Sequence, residues 1–184
     1  MANHVNTFVR FENLSDAGAA KLQELYSRIR PSNGYEWFSD IWGLDKEITD
    51  KYDWNIDNVG PKWCYFEDRG EDYFQITSAW SYPEKGLMWL FEQIAEVDPE
   101  FIASVTYEDE MPNFFGVWVY NKEGMIDGCE WDEEINDMMM EEYPELRDMD
   151  QESEEFYNIY NDNLWDLVHN KQHKLYVEIM ETLK

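Results

Sequence analysis

Residues 62–80, "KWCYFEDRGEDYFQITSAW", decide the fold. The runs "KWCYFED" (62–68) and "DYFQITSAW" (72–80) are rich in aromatic and β-branched residues and carry the pattern of two strands. Arg69 and Gly70 stand between them, where a short hairpin turn belongs. Upstream, "VNTFVRF" (5–11) alternates as a strand. Ser15 and Asp16 then offer caps to a helix, "AGAAKLQELYSRI", with Ala19, Leu22, Leu25, Tyr26 and Ile29 on one face. Downstream, Pro83 and Glu84 open a second helix, in which Leu87, Leu90, Phe91 and Ile94 share a face, and Asp98-Pro99 closes it. "FIASVTYED" (101–109) and "FFGVWVYN" (114–121) read as further strands, and Lys122 to Gly124 turn into a third, "MIDGCEW" (125–131).

Strand, helix, strand, strand, helix, strand is the split βαβ plan. The expected class is therefore α+β: a ferredoxin-like sandwich over 1–130 whose antiparallel sheet is extended at one edge. Residues 131–184 are expected to add an acidic segment and C-terminal helices packed on the same domain. In those helices Tyr157, Tyr160, Leu164, Leu167, Leu175 and Ile179 keep helical register across a polar interruption, "HNKQHK" (169–174). Residues 35–60, with Trp37, Trp42 and Trp54, show no period and read as irregular.

Of the 184 residues, 17% are aromatic, which supplies apolar area for a core despite a net charge of −27. Cys64 and Cys129 lie in unrelated segments, so neither a disulfide framework nor a cysteine-rich zinc site is indicated. No apolar run approaches about 18 residues and no basic, hydrophobic leader opens the chain, so a cytoplasmic protein with no membrane partner is expected.

The charge is local. Residues 1–85 hold 9 basic and 15 acidic groups, residues 86–170 hold 2 and 24, and residues 171–184 hold 3 and 2. A field of that sign repels nucleic acid and anionic membrane and attracts basic protein surfaces.

Signals of catalysis are weak. Asp53, Asn55 and Asp57 alternate as in a calcium loop, but Cys64 occupies the position of the bidentate Glu and Asn58 that of the loop glycine. His169 and His173 fall at i and i+4, yet no Glu follows His169 and polar or cationic residues crowd the pair, so a solvated helix face is expected rather than a metal site. Neither a glycine-rich phosphate loop nor a nucleophile elbow is present. No catalytic residue and no cofactor are assigned, and direct nucleic-acid binding is disfavoured by charge.

Three motifs in order are informative: "WNIDNVGPKW" (54–63), "ITSAWSYP" (76–83) and "YEDEMPNFFGVW" (107–118). Together they resemble the YubB-type ferredoxin-like domain family of plasmid and bacteriophage accessory proteins, over residues 4–125 or so. The resemblance implies the fold and a mobile-element origin, and carries over no activity. The chain departs from the family's pattern at Val59, where Trp is usual, and at Pro61, where a small hydroxyl residue is common. From the residues themselves, Gly60-Pro61 supplies a sharp turn into a strand, Asn58 bonds nearby backbone, and Trp54 and Trp63 clamp the turn on the sheet. A ligand pocket lined by Trp63, Trp80 and Lys62 is the alternative role for this region.

The function signal is the segment from Asp127 to Glu155, with 14 acids against one base, Arg147. Its apolar residues recur near helical spacing, so the stripe packs either inward or onto a partner. As one helix these 29 residues would run about 43 Å, about one net charge per 3 Å against about one per 1.7 Å of duplex DNA. The expectation is a bacteriophage or mobile-element protein that inhibits a host nucleic-acid-handling or defence protein through a DNA-mimic-like surface. Asp132, Glu133, Glu134, Asp137, Glu141, Glu142 and Glu145 would supply charge, and Trp131, Met138 and Met139 apolar anchors. The alternative is a non-catalytic assembly module, homodimeric through its sheet, whose acidity serves only solubility.

Overall fold

Strand β1 (His4–Phe11) buries Val5, Thr7, Val9 and Phe11 and leaves His4, Phe8 and Arg10 outside, the alternation its sequence displays. In the computed structural model, which describes residues 3–32, 35–42, 50–132 and 134–183, β1 lies inside an eight-stranded antiparallel sheet. Its companions are β2 (Pro31–Ser32), β3 (Tyr35–Trp37), β4 (Cys64–Arg69), β5 (Tyr73–Ala79), β6 (Ala103–Asp109), β7 (Phe115–Asn121) and β8 (Gly124–Trp131). The order is β2-β3-β4-β5-β1-β6-β7-β8.

The central four strands, β4-β5-β1-β6, with helices α1 (Asp16–Tyr26) and α3 (Glu84–Ala95) in the connections, make the split βαβ arrangement of an α+β sandwich. The sheet grows at both edges, not at one. β7 and β8 extend it beyond β6, and the very short β2 and β3 extend it beyond β4. Strands of two and three residues are too short to show a period in sequence.

The first core fills the space between the sheet and α1 and α3. Phe11 sits at its centre, with ring centroids of Phe91 and Phe101 each 6.0 Å away. Ser15 caps α1 through its side chain, while its own amide donates to Asp98 Oδ2 at 2.6 Å, tying the start of α1 to the end of α3.

Helix α2 (Lys51–Asn58) occupies ground that the sequence presents as irregular. Asp50 caps it by accepting from the amides of Tyr52 and Asp53, and Gly60 closes it at φ +117°. Lys85 Nζ donates to the carbonyls of Ile56 and Asp57 at 3.4 and 3.2 Å, supplying a cation at the helix C-terminus. Asn58 Nδ2 donates to Trp54 O, as its place in the motif suggests. Trp54 does not clamp the turn on the sheet. It meets Trp42 edge-on at 5.2 Å, and Trp42 stacks on Trp89 of α3 at 4.1 Å, so Trp54 fastens α2 to α3. Trp63 stacks on Tyr65 of β4 at 5.3 Å.

The opposite face of the sheet is covered at the β7–β8 edge. There Phe115, Val117 and Val119 are fully buried, and α5 (Glu154–Thr182) lies against β7 and β8 as one unbroken helix. It continues through "HNKQHK" because Gln172 is buried and its Nε2 donates to the carbonyls of Tyr107 and Gly116 at 3.0 and 3.1 Å. On the inner face of the sheet, Tyr107 of β6 donates to Glu130 Oε2 at 2.5 Å and accepts from Trp118 Nε1 at 3.1 Å. Gly116 leaves room for that phenol: a Cβ there would fall 2.4 Å from the Tyr107 oxygen.

Candidate functional site

The acidic segment folds as four short pieces. It leaves β8 at Trp131, forms helix α4 (Ile135–Glu142), turns through a 3-10 element (Pro144–Asp148) and enters α5. Ile135, Met138 and Met139, at i, i+3 and i+4, bury one face of α4, while Asp137, Glu141 and Glu142 occupy the exposed remainder. Pro144 starts the 3-10 turn, which buries Leu146. Ser153 Oγ accepts from the Phe156 amide at 3.1 Å, and Glu154 and Glu155 place negative charge where the α5 dipole favours it.

These pieces are held by a second core of Phe115, Ile135, Met138, Met139, Leu146 and Phe156 with Leu164, Leu167 and Val168 of α5; Trp131 stacks on Phe115 at 4.8 Å. The stripe therefore packs inward. Met138 and Met139 are committed to the chain's own core, which leaves them no surface to offer a partner, and Trp131 is half-buried against the same core. Nor do the acids form one 43 Å row, because a non-helical turn at Tyr143 and the residues before Ser153 break the segment into separate directions.

What remains at the surface is charge. Asp132, Glu134, Asp137, Glu141, Glu142 and Glu145 are all exposed; Glu133 lies outside the described residues. Among the described residues, no acid from Glu134 to Glu155 makes an ion pair, although Arg147 stands in the same segment. Elsewhere some acids do find cations: Asp40, almost fully buried, receives Arg30 at 2.8 Å and Lys51 at 3.3 Å.

The residues of the alternative pocket meet at the start of β4 and the end of β5, where the Ala79 amide donates to Trp63 O at 3.1 Å, but their side chains have separate partners. Lys62 Nζ lies 5.8 Å from the ring centroid of Tyr52, and Trp63 is engaged with Tyr65 and, edge-on, with His4. Trp80 projects 54% exposed from a left-handed backbone, φ +66°, steadied by a hydrogen bond from its amide to Asn3 O.

A second concavity, of about 200 Å³, lies between α5 and strands β1 and β6, and His169 and His173 both line it with Arg10, Glu12 and Tyr176. Ser104 Oγ donates to Glu12 Oε1 at 3.1 Å there. Nearby, burial pushes the Glu108 carboxyl above its ordinary range, opposed by a hydrogen bond from Gln172 and by the His169 charge. Sequence reasoning missed this grouping because its members come from three distant segments. The two-histidine spacing was its only signal. Among the described residues, no group of three or more His, Cys, Asp or Glu side chains is placed to hold a metal ion, and no helix is long and apolar enough to cross a membrane.

Comparison with known proteins adds no family. No protein-family model matches the chain, and no curated protein is significantly similar to it.

Proposed function

We propose that the protein acts by presenting the α4 surface to a basic surface of another protein, and that the partner handles nucleic acid or serves in host defence. The resemblance to plasmid and bacteriophage accessory proteins adds the setting: the chain acts in a host cytoplasm as an inhibitor that occupies a cleft meant for phosphates. The observation that carries this reading is the set of exposed acids, Glu134, Asp137, Glu141, Glu142 and Glu145, without an ion pair among the described residues yet fixed in position by the second core. Fixed charge is pre-organised for a partner, whereas a charged tail would lose conformational entropy on binding. The test is capture from bacterial lysate at low and moderate salt by the intact chain and by a variant with these five acids changed to Lys. A nucleic-acid-binding or defence protein retained by the first and lost from the second is expected. Equal capture by both contradicts the proposal.

One observation favours a second reading, self-association through the sheet. Beside α5, at the concavity that His169 and His173 line, Phe8 is 41% exposed and stacks on half-buried Tyr73, with Tyr65 and Trp63 also half-buried. Light scattering that gives twice the monomer mass, abolished by Phe8→Lys, supports it; a monomer removes it.

A further inference from the structure

We infer that the acidic surface contains a socket for an arginine side chain of its partner, in the groove between α4 and the N-terminal part of α5. The inference rests on the proposed function and deepens it by naming the group recognised.

The groove has a volume of about 570 Å³ and is lined by residues from α4, from the turn before α5 and from the first two turns of α5. Its floor is aromatic. Phe156 is buried in the second core, Tyr160 stacks on it at 5.7 Å, and Tyr157 meets it edge-on at 6.0 Å while remaining 53% exposed. Tyr160 is further fixed because its hydroxyl donates to Asn136 Oδ1 at 2.6 Å. The rim carries two carboxylates from different elements, Asp137 of α4 and Glu152 of the turn before α5, both exposed and without an ion pair among the described residues. Among the described residues, the lining contains no Lys, Arg or His.

Ring faces attract cations, carboxylates accept hydrogen bonds from them, and the thioether of Met140 on the same wall suits an alkyl stem. Anionic groups are repelled, and an uncharged apolar group would strip water from Asp137 and Glu152 without replacing its hydrogen bonds. Among cations, guanidinium is planar, stacks on aromatic rings and offers paired donors to carboxylates, whereas ammonium is a compact, strongly hydrated point charge. The socket therefore selects arginine over lysine, a distinction that charge alone does not make.

The experiment titrates the full chain with fluorescein-labelled octa-arginine and octa-lysine peptides at about physiological salt, following anisotropy. The wild type and Tyr157→Phe should bind octa-arginine about threefold to thirtyfold more tightly than octa-lysine. Tyr157→Leu, which keeps charge and bulk but removes the ring, should lose that preference while still binding both peptides. Because the ring is half in solvent, the leucine variant is expected to fold, and circular dichroism checks this. Equal affinity of the wild type for the two peptides overturns the socket and leaves the acidic-surface reading standing. A preference that survives Tyr157→Leu also overturns it. Failure of either peptide to bind overturns both.

Discussion

Met139→Ala tests whether the acidic surface is anchored by its own core. Met139 is fully buried among Phe115, Ile135, Leu146 and the α5 residues Leu164, Leu167 and Val168. The substitution removes three heavy atoms, and the transfer loss plus the cavity left behind gives a destabilisation of about 2–4 kcal/mol. That is within the total of about 5–15 kcal/mol typical of a domain, so the variant should still fold. The assay is urea unfolding followed by tryptophan fluorescence, to which Trp131, stacked on Phe115 in the same core, contributes. With a slope of about 2–3 kcal/mol/M, the midpoint should fall by about 0.7–2 M. Met111→Ala is the control, since Met111 is 70% exposed and its truncation should change stability by less than about 0.5 kcal/mol. If the two variants have the same midpoint, Met139 is not buried as described and the α4 surface is not held by the second core.

Gly116→Ala should destabilise the protein by about 1–3 kcal/mol in the same assay, because the new methyl group meets the Tyr107 hydroxyl and ring carbon at 2.4 and 2.5 Å on a fully buried side chain. Tyr107→Phe should cost about 1.5–3 kcal/mol, since it removes the donor to the Glu130 carboxylate and the acceptor for Trp118 Nε1. Glu108→Gln should raise the melting temperature at neutral pH. The folded carboxyl has a raised pKa through burial, so its ionised form is penalised, and the gain should vanish as pH falls below the ordinary glutamate value, where both states are protonated. The melting temperature of the unmodified protein should rise with salt through about 0.5 M as the unpaired acids are screened; a flat response would mean that their repulsion is small.

The parts of the fold legible in sequence are those where one periodicity runs long enough. β1 alternates over eight residues, and α1 carries a capping Ser15 before Leu22, Leu25 and Tyr26. α2 was hidden because its sequence, "KYDWNIDN", has no apolar stripe: the only buried residue is Asn55, and the helix is held by its caps and by Trp54. The polar interval in α5 does not end the helix because Gln172 within it turns inward, and its amide donates to two sheet carbonyls. The acidic site was half legible. Composition exposed the charge, and the spacing of Ile135, Met138 and Met139 exposed the stripe, but whether a stripe faces inward depends on Phe115, twenty residues upstream on another strand. The groove beneath Tyr157 depends on α4 and α5 lying side by side, which no local pattern records.

The central claim is that the acidic surface takes the place of phosphates on a basic protein. Its most direct test is displacement of labelled duplex DNA from the captured partner by the unmodified chain and by the five-site Lys variant. The account predicts that the unmodified chain releases the DNA near one equivalent, that the variant does not, and that added salt weakens the effect. A partner that holds DNA and the acidic protein together, or that yields its DNA equally to the variant, would contradict it.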